Sequence, residues 1–212
     1  MNANPEQGKT RRDRERDNHR REILEAAERV FVSKGYEAAT VEEIAREAEF
    51  AVGTLYNFFE GKEALFLAVA DRILEDLATR FDEEVAPWLH QPREAVRRFV
   101  ELRLQEITRH EPFFNVFHPL YCSNGQRARE LIRQPDPRFL AYRTKAVEVF
   151  AVAVEQGVVR QVPADEILCI VEGSIRFFVK LWNHQRAKPP TPVEQLAILE
   201  RSLLTLLWAD PQ

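Results

Sequence analysis

"FAVGTLYNFFEGKEALF", residues 50–66, is the stretch on which the reading of the whole chain turns. The chain is 30% charged, yet Phe50 to Phe59 carries no charge, and four of those ten residues are aromatic. Gly53, Thr54 and Asn57 sit among them. Just upstream, "TVEE" at residues 40–43 is a helix start: the Thr40 hydroxyl caps while Glu43 reaches back, a capping box. Val41, Ile44, Ala45 and Ala48 then form the buried stripe of a helix of about two turns. A break at Glu49–Phe50–Ala51 precedes a second short helix from Val52 to about Phe58. Short helix, three-residue break and short helix is the layout of a helix-turn-helix.

Two such short helices cannot hold each other in place, so a third is required. Residues 19–34 supply it, with Ile23, Leu24, Ala27, Val30 and Phe31 on one face and Gly35 as its stop. Gly61 interrupts the chain again, and a long helix follows from Lys62 to about Val85, ending before Pro87. In a unit of this kind the second short helix enters the DNA major groove, where small and hydrogen-bonding groups reach bases and phosphates. Leu55 and Phe58, or Phe59, are then expected to face the core. Val52, Gly53, Thr54, Tyr56 and Asn57 are expected to lie outward or towards the ends, with Tyr56 alternatively a core residue.

The totals set wider bounds. At 212 residues with 45% apolar residues, the chain can bury a sizeable core, and 7 glycines favour helix over sheet. Two cysteines with no metal-site spacing, a polar basic start and no long apolar run predict a reduced, cytoplasmic compartment and no membrane span. The net charge of −4 conceals a basic run: residues 9–21 hold seven Lys/Arg against three Asp/Glu. Beyond Pro87, apolar-periodic helices are expected near 93–110, 112–121, 126–133, 137–157, 164–186 and 193–208, punctuated by prolines. The fold class is all-α, a three-helix head on a larger helical body.

"TVEEIAREAEFAVGTLYNFFEGKEALF", with "AAERVFVSKGYEAAT" before it, resembles the DNA-binding segment of the TetR (tetracycline repressor-like) regulators over roughly 45 residues. Thr40, Ile44, Ala45, Ala48, Gly53, Thr54, Leu55, Tyr56, Phe59, Lys62, Glu63 and Leu65 stand where that family has matching residue types. Three positions depart from it: Glu49 where a turn glycine is usual, Ala51 where a Ser cap is usual, and Phe58 where His is common. The resemblance implies that Thr40, Tyr56 and Thr54 touch phosphates and that Lys62 sets its charge near the DNA backbone. It puts Val52, Gly53 and Asn57 nearest the bases, with Ala51 close by. It implies three parts: a basic flexible arm over 1–18, a DNA-binding domain over 19–66, and a ligand-binding and dimerisation domain over 67–212.

The implied function is a ligand-responsive regulator, a repressor that binds a palindromic operator in double-stranded DNA as a homodimer and leaves it when a small, largely apolar or aromatic inducer binds. Ile167, Ile170, Val171, Gly173, Ser174, Phe178 and Leu181 make one interface stripe, and Leu196, Leu199, Leu203 and Leu206 another, unless both serve the chain's own core. "RHEPFFNVFHPLYCSNG", residues 109–125, gathers Phe113, Phe114, Phe117, His118, Tyr121 and Cys122 between Pro112 and Gly125, with a kink expected at Pro119. These residues are either core or the aromatic wall of a pocket, and the resemblance favours the pocket, with Arg103, Glu172, Arg176, Phe177 and Trp182 as partners. No cofactor is expected. A di-iron enzyme would need Glu three residues before an inward His, and the residues three before His19, His90, His110, His118 and His184 are Arg, Pro, Ile, Asn and Leu. A helical interaction module that has lost DNA binding is the alternative.

Overall fold

The computed structural model describes residues 10–121, 137–185 and 190–208, without the side chains of residues 114, 116–121 and 185. The expected helix 126–133 lies outside them. Among the described residues the regular structure is helical, apart from one isolated antiparallel bridge between Val159 and Trp208. The chain divides into two units, Met1–Arg72 and Ile73–Gln212.

The first unit holds α1 (Arg11–Ala38), α2 (Val41–Glu47), α3 (Val52–Tyr56) and the first turns of α4 (Lys62–Glu84). The Thr10 side chain and Asp13 form a reciprocal capping box, so helix begins at Arg11. The expected flexible arm over 1–18 is therefore corrected from residue 10 onward: its basic run forms the opening turns of α1. Gly35 lies at φ 78°, ψ 166° inside the span of α1, a conformation that ends regular helix there, as the sequence predicts. The core is made by Ile23, Leu24, Ala27, Val30 and Phe31 of α1, Ile44 and Ala45 of α2, Leu55 of α3, and Leu65, Phe66 and Val69 of α4, all buried. Phe31 meets Phe66 edge-on at 4.9 Å between centroids. Leu55 alone anchors α3 from within, which is why so short a helix needs two neighbours.

The second unit packs the end of α4 with α5 (Pro92–Tyr121), α6 (Pro137–Glu155), α7 (Ala164–Gln185) and α8 (Pro192–Leu199). A π-helical stretch, Glu200–Leu204, and a last turn, Thr205–Leu207, continue α8. Phe81, Phe99, Phe150, Val171, Ile175, Trp182 and Leu199 lie in one core, with Phe99 edge-on to Phe150 at 5.3 Å. The expected separate helices 93–110 and 112–121 are one helix running through Pro112 and Pro119. Burial on both sides of Pro112, at His110 and Phe113, offsets the backbone hydrogen bond that proline cannot donate. No described helix is long and apolar enough to cross a membrane.

Candidate functional site

The turn between α2 and α3 explains how the recognition surface is set. Glu49 takes φ 60°, the left-handed conformation. The Glu49 amide donates to the Arg46 carbonyl at 3.2 Å and the Phe50 amide to the Ala45 carbonyl at 2.9 Å. That pair of bonds is a Schellman closure, normally built on glycine. Ala51 caps α3 with no side-chain hydrogen bond. The missing glycine and the missing hydroxyl thus leave the geometry intact at a cost in stability. Glu49→Gly raises unfolding stability by about 1 kcal/mol by relieving the left-handed Cβ; a urea midpoint that stays put or falls would show that the Glu49 side chain compensates.

The predicted DNA-facing residues divide. Tyr56 is 54% exposed, which settles its orientation away from the core. Ala51, Gly53 and Asn57 are exposed, and Val52 and Thr54 half-buried, so all five share the surface of α3 with Tyr56. Of the residues given to the core, Leu55 and Phe59 are buried and Phe58 is half-buried. Thr40 is exposed at the start of α2, where its hydroxyl accepts from the Glu43 amide at 3.2 Å. A hydrogen bond from Lys34, at 2.5 Å, holds the Glu43 carboxyl below its ordinary pKa and so keeps the reciprocal arm of the cap ionised. Lys62 is committed elsewhere: its ammonium donates to the Tyr36 and Glu37 carbonyls at 2.8 and 3.1 Å and lies 4.6 Å from the Tyr36 ring centre. Its charge closes the end of α1, a use that four methylenes of reach permit and sequence spacing does not reveal.

In the second unit a polar cluster is buried among apolar helices. Arg103 and Glu172 form an ion pair at 3.1 Å, as two of the predicted pocket residues. Arg103 also faces the Tyr142 ring at 5.6 Å. Burial works against its charge, but the Glu172 and Glu106 carboxylates outweigh that and raise its pKa above the ordinary value. Glu106 accepts from Arg80 at 2.5 Å, and His110 Nε2 lies 3.6 Å from the other Glu106 oxygen. Arg80 is bound further by Glu84 at 2.7 Å and Gln105 at 2.6 Å. Burial pushes the Tyr142 phenol up, so it stays protonated, and its hydroxyl is buried without a hydrogen-bond partner among the described residues. Sequence reasoning missed Glu106, His110 and Tyr142. The spacing of Arg103, Glu106 and His110, three and four residues apart, is the signal of one buried polar face.

The other predicted pocket residues separate. Phe113 and Trp182 are fully buried, Trp182 stacking on Phe178 at 5.5 Å, so both are core. Phe177 is 64% exposed and Arg176 is exposed, so neither lines an interior pocket. The turn of α7 that buries Ile175 and Val179 sends its neighbours outward. The side chains of Phe114, Phe117, His118 and Tyr121, and the whole of Cys122, lie outside the described residues.

The predicted interface stripes also split. Ile167, Val171, Leu199 and Leu203 are buried in the unit's own core. Ser174, Phe178, Leu181 and Leu196 are half-buried, Gly173 is exposed, and Ile170 and Leu206 are 51% and 67% exposed. Ile167, Ile170, Ser174, Phe178, Leu203 and Leu206 share the wall of an open apolar groove of about 390 Å³.

Residues 23–69 match the family described as "Bacterial regulatory proteins, tetR family". The HTH-type transcriptional regulator YhgD of Bacillus subtilis, itself uncharacterized, is 26% identical over 82% of this chain and 88% of its own length. The ketosteroid transcriptional regulator KstR2 of Mycobacterium tuberculosis superposes with a TM-score of 0.66 at 21% identity, covering 90% of this chain and 95% of that one. The TetR family transcriptional regulator PfmR of Thermus thermophilus gives 0.64 at 24% identity, over 96% and 99% of the two chains. At these identities the structures speak for the fold, and the matched segment speaks for the head. Nothing among these relatives favours an interaction module without DNA binding.

Proposed function

We infer that this chain, a tetR-family transcriptional regulator by its DNA-binding segment at residues 23–69, acts as a homodimeric repressor on a palindromic operator and is released by a small, largely apolar or aromatic inducer. It is a DNA-binding regulator and not an enzyme. The observation that carries the reading is the surface of α3. Tyr56, at the end of a helix of five residues that has only Leu55 buried, and Asn57, its C-cap, are both exposed, so their side chains serve no core packing role. Tyr56 and Thr54 offer hydroxyls to phosphates, and Val52, Gly53 and Asn57 reach the bases. None makes the strong bidentate Arg–guanine contact, so specificity rests on several weak contacts and on DNA shape. Such work is done in the cytoplasm.

The buried polar cluster supports a ligand site in the body. The unpartnered Tyr142 hydroxyl and the Arg103–Glu172 pair offer a donor and a charge to the polar end of an otherwise apolar inducer. Arg80, near the end of α4, is gripped by Glu84, Gln105 and Glu106. An inducer that rearranges Glu106 therefore acts on the helix that continues into the DNA-binding unit, and the two sites share a coupling free energy. A ligand that fills the body and leaves operator affinity unchanged would sink the coupling.

The test is selection of the purified protein on a randomised duplex pool. The expected winner is a palindrome with half-sites about one helical turn apart. Tyr56→Ala lowers affinity for that winner about tenfold, the loss of one good contact, with an unchanged thermal midpoint. No enrichment from the pool would overturn the reading.

A further inference from the structure

The recognition segment lacks the charge that its partner demands. From Glu49 to Gly61 the ionisable side chains are Glu49, Tyr56 and Glu60, and Lys62 is spent on the carbonyls at the end of α1. A duplex presents a phosphate charge about every 1.7 Å of axis, and neutralising it supplies essentially all of non-specific binding and a large share of specific binding. The cations must be supplied from another element.

They stand on α1. The Cζ of Arg16 lies 5.8 Å from the centre of the Phe58 ring, and that of Arg20 lies 5.4 Å from Phe59. His19 meets Phe50 edge-on at 5.0 Å. Phe50 precedes α3 and Phe58 and Phe59 follow it, so the opening turns of α1 are tied to both flanks of the recognition helix. Arg12, Arg16, His19 and Ile23 fall at i, i+4, i+7 and i+11, so the ridge continues the stripe that Ile23 begins to bury. Two of the acidic residues of the stretch are engaged within α1 itself. Asp13 is held in the capping box and Glu15 by Arg11 at 2.9 Å, while Arg12, Arg16 and Arg20 enter no carboxylate ion pair among the described residues. A guanidinium lying on an aromatic face still presents its N–H groups along its edge, the geometry that takes a phosphate.

We propose that Arg12, Arg16 and Arg20 form a second nucleic-acid contact surface, a helical ridge that binds duplex phosphates beside the groove occupied by α3. The uncharged aromatic stretch at 50–59 then has a positive role: it is the platform that holds these cations in register. The ridge rests on the DNA-binding reading and adds to it where the phosphate charge is met.

The experiment measures affinity for the selected duplex and for a scrambled one across a series of salt concentrations. It compares the unaltered protein with Arg12→Gln and with Arg12→Gln/Arg16→Gln. Each lost phosphate contact lowers the slope of log affinity against log salt by about 1. Every substitution is present in both protomers of the homodimer, so the double variant is expected to lose about 4 from the slope, and to lose affinity for both duplexes alike. Arg14→Gln/Arg21→Gln, on the opposite face of α1, is expected to keep the slope. Arg12 stacks on no ring, so its single variant reports on phosphate contact with the head's packing untouched. An unchanged slope in the two ridge variants, with the wild type still bound, overturns the ridge and leaves DNA binding standing. A wild type that retains no duplex at any salt overturns both.

Discussion

Arg80→Met destabilises the second unit by about 3–5 kcal/mol, the usual loss when one partner of a buried ion pair is removed. Glu106 is 3% exposed, and Arg80 is the donor that closes on it at 2.5 Å. His110 Nε2 stands 3.6 Å from the remaining carboxylate oxygen, too far for a hydrogen bond. Methionine keeps most of the volume of the arginine stem, so the loss reports on the stranded carboxylate more than on a cavity. Glu106→Leu in the same chain removes that carboxylate, and the double variant is expected to recover most of the loss. The thermal midpoint should fall by roughly 10 °C in Arg80→Met and return by more than half in the double variant. Equal losses in single and double variants would mean that the pair contributes through packing alone.

The same cluster marks how far the sequence could be read. The head was legible because its signals are local. Thr40 and Glu43 form the capping box expected of them, Gly35 takes the conformation that stops a helix, and Leu55 and Phe59 face inward. The start of α1 was not legible, because the four arginines within 1–18 read as a flexible arm until the contacts of Arg16 and Arg20 with Phe58 and Phe59 are known. Those contacts join residues about forty positions apart, beyond the reach of periodicity. The prolines misled in the opposite direction: Pro112 carries a local penalty that burial of His110 and Phe113 outweighs. In α7 the difficulty was ambiguity. That helix is apolar on two faces, and only packing decides that Val171, Ile175 and Trp182 turn inward while Ile170 and Phe177 turn out.

That outward face carries the second large effect. Ile170→Glu/Phe177→Glu is expected to yield a folded monomer whose affinity for the palindromic operator falls about 10²- to 10⁴-fold. Ile170 and Phe177 are seven residues apart, two turns on one side of α7, and 51% and 64% exposed. Gly173 lies between them with nothing within 4 Å of the position a Cβ would occupy, leaving room for a second backbone to approach. Leu206 adds a third exposed apolar side chain, at 67%, on the rim of the groove that Ile170 also lines. A patch of this kind on an isolated chain marks an interaction surface, and the two-fold operator proposed above calls for a two-fold partner. Two buried carboxylates facing two more across the symmetry axis cannot be desolvated without loss of the dimer. The heads themselves are untouched, so affinity for an isolated half-site should stay at the wild-type value while the advantage of the full palindrome disappears. Sedimentation and duplex titration together decide the matter. A variant that remains dimeric places the interface on another face, and a monomer that still favours the palindrome by the wild-type margin removes dimerisation from the account of DNA recognition.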